Sequence, residues 1–256
     1  MEIFHIGTAE RRLIAIFYAG NEEKIKRTGI IICNPLGQEH IRFYKATVVL
    51  AKELSLQGFP TFRFDYYGTG DSYGDESEFN ISSSAADLRL IVQELRDGCD
   101  IDDICLIGIR YGTILSTLYG YHLNISSHIL WNPVISGTVY LNELKQQHQK
   151  FISGSFIKPA NVEKHERLGF YLSDQLIKDL DSFALSDMAT DGRKKVLVLA
   201  DDQFLTKYNL VNYSFFKNDD LKIVRNDVAN FWQKERGDQK SMVPVNEINQ
   251  IINWLV

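Results

Sequence analysis

The chain has 256 residues, 45% of them hydrophobic and 24% charged, enough for one compact domain with a substantial core. Its net charge of -5, with the basic residues scattered, gives no electrostatic footprint for nucleic acid. No apolar run reaches the roughly 18–20 residues that would span a bilayer, and the N-terminus lacks a signal-peptide pattern, so a cytoplasmic protein is expected. The three cysteines, Cys33, Cys99 and Cys105, are odd in number and have no metal-like spacing.

Apolar runs alternate with helix-period segments along the chain, which predicts an α/β fold with a mostly parallel central sheet flanked by helices. Residues 2–6 and 12–19 read as a first strand pair. Residues 29–33 form a continuous apolar run of the kind found in a central parallel strand. Helical spacing follows over 41–57, ended by Gly58 and Pro60. A strand over 61–66 leads into the Gly-rich turn at 68–72. A helix is expected over 83–97, with Ser83 or Ser84 as its cap. A strand over 103–109, a helix over 111–122 and a strand over 129–133 come next. Residues 135–192 turn helical and polar and read as a lid inserted into a single domain of residues 1–256. Strands over 195–200 and 221–224 and a helix over 244–255 close the pattern.

The most informative segment is Ile104 to Ser116, which reads strand, tight turn, helix, centred on Gly108-x-Arg110-x-Gly112. A G-x-S-x-G turn in this setting is a nucleophile elbow. Here Arg110 stands at the serine position, and a guanidinium, always protonated, cannot attack a carbonyl. Asn34-Pro35-Leu36-Gly37-Gln38-Glu39, Asp65-Tyr66-Tyr67-Gly68-Thr69-Gly70-Asp71-Ser72 and Trp131-Asn132-Pro133-Val134 accompany it. Together these segments resemble the α/β-hydrolase superfamily, in its serine-aminopeptidase-like branch. More narrowly, the chain is similar to bacterial hydrolases of exosortase and natural-product gene clusters that carry G-x-R-x-G at the elbow. The resemblance implies an oxyanion-hole-like pair of N–H groups on Leu36 and Tyr111, and an acid position at Asp201 or Asp202.

Against that pattern two triad members are missing. Arg110 replaces the serine, and no histidine follows His165, so the stretch 225–243 offers no base. Ser72, Cys33 and Ser116 read as turn, sheet and packing residues, and His40 as a capping or surface residue near the pocket mouth. Glu39, His40, Tyr66, Tyr67 and Ser72 are the pocket candidates. Tyr73 and Tyr111 join the same aromatic face, with Phe151, Phe156, Phe170 and Tyr171 available to close it. His122, His128, His148 and His165 lack metal-ligand spacing, and no cofactor is implied.

Arg110 then has two readings. It pairs internally with Asp201, Asp202 or Glu39, or it meets a carboxylate or phosphate of a ligand. Three functions remain open: binding of a small acyl or anionic ligand, free or on a carrier protein, without serine-type hydrolysis; an esterase, thioesterase or peptidase with a displaced nucleophile; and a scaffold with a vestigial pocket. The sequence leaves the oligomeric state open.

Overall fold

The computed structural model describes residues 1–125, 127–154, 165–187, 194–216, 220–225 and 243–256. Phe156 and the region 226–242, searched above for a histidine, lie outside the described residues.

Strands β1 (Glu2–Gly7), β2 (Arg12–Tyr18), β3 (Thr28–Cys33), β4 (Thr61–Phe64), β5 (Asp103–Ile109) and β6 (Ser127–Trp131) join β9 (Lys195–Ala200) and β10 (Asp220–Arg225) in one sheet. Its spatial order is β1-β2-β4-β3-β5-β6-β9-β10. β1 pairs with β2, and β2 with β4, antiparallel; every other neighbouring pair is parallel. The inner strands are apolar on both faces because both faces are covered. Ile31, Leu106 and Val198 point into one core, with Leu88 and Ile91 of α2 (Ile81–Gly98) and Ile114 and Leu115 of α3 (Tyr111–Tyr119). Ile32, Ile107 and Leu199 point into the other, with Phe43 and Leu50 of α1 (Gly37–Leu56) and Ile248 and Ile251 of α7 (Val245–Leu255). The remaining helix of this framework is the short α6 (Asp202–Lys207) after β9.

The insertion between β6 and β9 holds α4 (Gly137–Gly154), the two-residue strands β7 (Glu166–Arg167) and β8 (Phe170–Tyr171) in an antiparallel pair, and α5 (Asp174–Asp181). No helix among the described residues is long and apolar enough to cross a membrane.

Of the boundaries that differ from expectation, three matter for the site. α1 starts at Gly37, four residues early, because Leu36 enters it in extended conformation without a side-chain cap; a start with no Ser, Thr, Asp or Asn carries no sequence signal. Glu39 and His40 therefore sit in its first turn. β4 ends at Phe64, so Asp65 lies just past the strand and not within it. α2 is capped by Asn80, whose side chain accepts from the Ser83 N–H while Ser83 bonds back to Asn80, in a reciprocal capping box.

Candidate functional site

The elbow forms where the spacing places it. Arg110 directly precedes α3 with φ 50° and ψ -114°, a left-handed conformation rare for a residue with a side chain. Surrounding bonds hold it there. Its N–H donates to Trp131 O (3.0 Å), and Thr113 Oγ1 donates to its carbonyl (2.6 Å) while accepting from the Val134 N–H (3.0 Å). Gly112 is required because a Cβ there would lie 2.0 Å from Cys33 O. α3 thus begins hard against the end of β3, beside the Leu36 loop.

The Arg110 side chain does not project into open space. Its Nε donates to Glu39 Oε1 at 3.0 Å and its Nη2 to Glu143 Oε2 at 2.6 Å. Its guanidinium lies 5.0 Å over the Tyr140 ring, and Tyr140 Oη donates to Glu39 Oε2 at 2.7 Å. Arg110 is 6% exposed and Glu39 2%. Burial opposes the guanidinium charge, but Glu39 and then Glu143 outweigh it and hold the pKa above its ordinary value. Tyr140 is pushed well up, by burial first and by Glu39 second. The space bordering this cluster is only about 30 Å³, lined in part by Val134, Phe204 and Tyr208; that is room for a water and not for an acyl chain.

A second cavity lies on the other side of the Leu36 loop. It encloses about 430 Å³ and is walled by Leu36, Ile41, Tyr44, Phe79 and, from the insertion, Phe170. His40 and Asp65 form part of its polar lining. His40 Nε2 is 3.7 Å from Asp65 Oδ1, beyond hydrogen-bond reach, and has no hydrogen-bond partner. Burial lowers the His40 pKa; Asp65 partly offsets this and Arg63 adds to it.

Over residues 25–204 the chain matches the family described as "Serine aminopeptidase, S33". It belongs to that family. Among solved structures, Est1E from Butyrivibrio proteoclasticus with ferulic acid bound is 17% identical, with 98% of each chain covered and a TM-score of 0.68. A putative hydrolase from Agrobacterium vitis S4 is 16% identical, with coverage of 100% and 98% and a TM-score of 0.64. XC6422 from Xanthomonas campestris, an α/β serine hydrolase without a lid, is 14% identical, with coverage of 99% and 93% and a TM-score of 0.59. The fold is that of the α/β-hydrolases. No curated protein matches the chain.

Within this S33 chain the sequence candidates divide. Arg110 and Glu39 come together, but Asp201 and Asp202 have other work: Asp201 Oδ1 accepts from the Phe204 N–H (2.7 Å) as the cap of α6, and exposed Asp202 faces Arg225 Nη1 at 3.3 Å. Of the acids weighed for Arg110, Glu39 supplies the described ion pair. Leu36 and Tyr111 flank the elbow through their backbones; the Tyr111 side chain turns inward, its Oη 2.9 Å from Ser84 Oγ.

Of the five pocket candidates, His40 lines the larger cavity, while Glu39 belongs to the Arg110 cluster and Tyr66, Tyr67 and Ser72 are corrected. Tyr66 is 2% exposed and donates to Asn34 O (3.0 Å), packed edge-on against Phe64 and Tyr111 beneath the cavity floor. Tyr67 turns to the opposite side, under the Arg11 guanidinium at 4.4 Å, because its N–H is drawn to buried Asp87. Ser72 is a strut: its Oγ accepts from the Ile14 N–H (2.9 Å) and donates to Asp65 O (2.7 Å). Ser116 does meet a histidine, His128 Nδ1 at 2.9 Å, but both are fully buried, and His128 Nε2 is held by Ile125 O at 3.2 Å. Among the described residues no group of three His, Cys, Asp or Glu is arranged to hold a metal ion.

Sequence reasoning missed Tyr140, Glu143 and Asp65. The Tyr140-x-x-Glu143 spacing puts both on one helix face just after the Trp131-Asn132-Pro133-Val134 segment, a signal that was present. Asp65 was read as part of the strand over 61–66, although it heads the Asp65-Tyr66-Tyr67-Gly68-Thr69-Gly70-Asp71-Ser72 motif.

Proposed function

We propose that this protein binds a small acyl-type ligand, free or presented by a carrier protein, without serine-type hydrolysis. The observation that carries this reading is the ionic cluster at the elbow. Where the fold offers a nucleophile, the chain holds Arg110 clamped by Glu39, Glu143 and Tyr140. The guanidinium cannot attack a carbonyl, and the Glu39 and Glu143 carboxylates are tied up in pairing with it. The absence of any histidine beyond His165 supports the same view.

The cluster also changes the ligand expected. Two carboxylates against one guanidinium leave no net positive charge to draw a carboxylate to Arg110. The acyl-type ligand is therefore favoured over the anionic one, and the 430 Å³ cavity, not the elbow, is the place for it. A half-open cavity of that size with apolar walls disfavours a purely vestigial pocket. Ser72, with both its hydrogen bonds in use, disfavours a displaced nucleophile. On this reading the chain sits with the G-x-R-x-G proteins of exosortase and natural-product clusters, works in the cytoplasm, and uses the insertion over 135–192 as a lid on the domain.

The test is turnover of p-nitrophenyl acetate and butyrate. Neither the wild type nor Arg110→Ser should exceed the buffer rate by more than the small acceleration that binding alone provides, because the substitution supplies a hydroxyl without a base. Wild-type turnover abolished by Ser72→Ala would restore the displaced-nucleophile reading.

A further inference from the structure

We propose that the larger cavity takes the alkyl end of a neutral acyl conjugate, tail inward and head at the mouth, with Phe170 limiting how much chain fits. The inference deepens the ligand-binding reading above and rests on it, but it does not depend on the loss of hydrolysis.

Burial grades the lining and sets the orientation. Leu36, Phe79 and Leu172 are at most 6% exposed, and these are its only buried members among the described residues. Ile41, Tyr44 and Tyr171 are at least 37% exposed and stand at the mouth. The polar side chains, Thr69, Asp71 and Glu76 among them, are half-buried or exposed. An alkyl chain against the buried three therefore leaves water without stranding a polar group. An acyl head placed there would lose its hydration with no side chain to replace it, so the head belongs at the mouth.

The walls are held in place, which sets a limit on size. Phe79 packs on Tyr66 with ring centroids 5.7 Å apart, and its carbonyl accepts from Ser173 Oγ at 2.8 Å. Phe170 rests on Gly37, where a Cβ would lie 3.0 Å from its Cγ. The next residue, Tyr171, donates its N–H to Glu76 Oε2 at 2.9 Å and ties this part of the insertion to the rim. Neither ring can retreat without breaking these contacts, so the chain must fit a space of about 430 Å³.

Charge decides the head. Asp65, Asp71 and Glu76 lie in the lining, and no described lining residue is Lys or Arg. Burial lowers the His40 pKa, so this histidine adds no positive charge at neutral pH. Arg63 is buried behind the wall, its guanidinium stacked 4.9 Å over Tyr44 and its Nε donating to Thr47, so its charge is not presented to the cavity. A free carboxylate at this mouth meets like charge and no cation. An ester, thioester or amide carries no charge to repel.

The experiment is calorimetry on the full chain near pH 7.5 with the methyl esters of butyric, hexanoic, octanoic, decanoic and dodecanoic acids, and with the free acids. Ester affinity should rise about fourfold per CH₂ until the cavity is filled, and then level off. Each acid should bind about tenfold or more weakly than its ester. Phe170→Ala should move the levelling-off to a longer chain, and Phe170→Leu, a gentler cut, should move it less. Ile41→Lys, at an exposed position of the mouth, should strengthen the acids about tenfold and leave the esters within about twofold. Acids binding as tightly as esters, or affinity that ignores chain length, overturns the inference and leaves the loss of hydrolysis standing. So does a levelling-off that neither Phe170 variant moves, or an acid affinity that Ile41→Lys leaves unchanged. Ester turnover by the wild type, with the chain-length limit kept, overturns the proposed function and leaves the inference standing. No binding by any ester overturns the inference.

Discussion

Arg110 Nε donates to Glu39 Oε1 across 3.0 Å, and the two residues, 71 positions apart in sequence, are both nearly sealed from solvent. The pair joins the two loops that in a hydrolase of this fold would frame the reacting carbonyl: the start of α3 and the start of α1. Tyr140 and Glu143 of α4 complete it, so the insertion is fastened to the elbow by charge as well as by packing.

Removing one partner from this pair should cost stability. Arg110→Met leaves Glu39 buried with only the Tyr140 hydroxyl among its described side-chain partners. A buried carboxylate stripped of its cation typically destabilises by about 3–5 kcal/mol. For a chain of this size that lowers the melting temperature by roughly 10 °C. The double variant Arg110→Met with Glu39→Gln should recover part of the loss. Additive effects of the two single changes would show that the pair is not coupled. Arg110→Lys should also lose stability, since one ammonium cannot reproduce the forked contact to two carboxylates.

Ser72 should behave as a structural residue. Ser72→Ala strands the Ile14 N–H and the Asp65 carbonyl, each bonded to Ser72 Oγ. A loss of about 1–2 kcal/mol is expected, read as a lower urea midpoint with an unchanged slope. An unchanged midpoint, or a change in ester turnover, would contradict the strut role.

The sheet was legible because its strands are continuous apolar runs, and β9 falls on the residues expected. The elbow was legible because Gly108-x-Arg110-x-Gly112 is a covalent spacing with one geometric meaning. What was not legible is what the side chains do once placed. Asp201 follows β9 as expected, but a carboxylate at a helix start satisfies the nearest free N–H, here that of Phe204. Tyr66 and Tyr67 are adjacent and aromatic, yet the turn closed by the Thr69 N–H on Tyr66 O parts them, one into the core and one to Arg11. The Tyr140-x-x-Glu143 spacing shows that the two share a face of α4, but which residue that face meets depends on how the segment after β6 folds back onto the elbow.

Close approach at the elbow yields a further expectation. A methyl group at position 112 would lie 2.0 Å from Cys33 O, which is backbone in a central strand and cannot yield. Gly112→Ala should therefore destabilise by about 3 kcal/mol or more, through displacement of α3 from β3. Gly154→Ala is the control. It ends α4 with nothing near the added methyl, so it should be neutral or slightly stabilising. Similar melting temperatures for the two variants would mean that α3 does not sit against Cys33.

Acid stability should report on His128. This histidine is fully buried, and its folded pKa is depressed to about 3, by burial first and by the Lys194 charge second. In the unfolded chain it titrates near about 6.5. Below that pH the unfolded state takes up a proton that the folded state refuses, so unfolding is favoured as pH falls. The loss begins near pH 6.5 and grows towards pH 3, at up to about 1.4 kcal/mol per pH unit, reaching roughly 2 kcal/mol at pH 5. His40 is shifted in the same direction and adds to the slope, so a single profile does not separate the two. His128→Asn does. It keeps a polar atom towards Ser116 while removing the proton site, at some cost in stability at pH 7. Urea midpoints measured from pH 7.5 to pH 4.5 should fall less steeply for this variant than for the wild type. Parallel profiles would mean that His128 is protonated in the folded protein, and that the Ser116–His128 contact is reached by water.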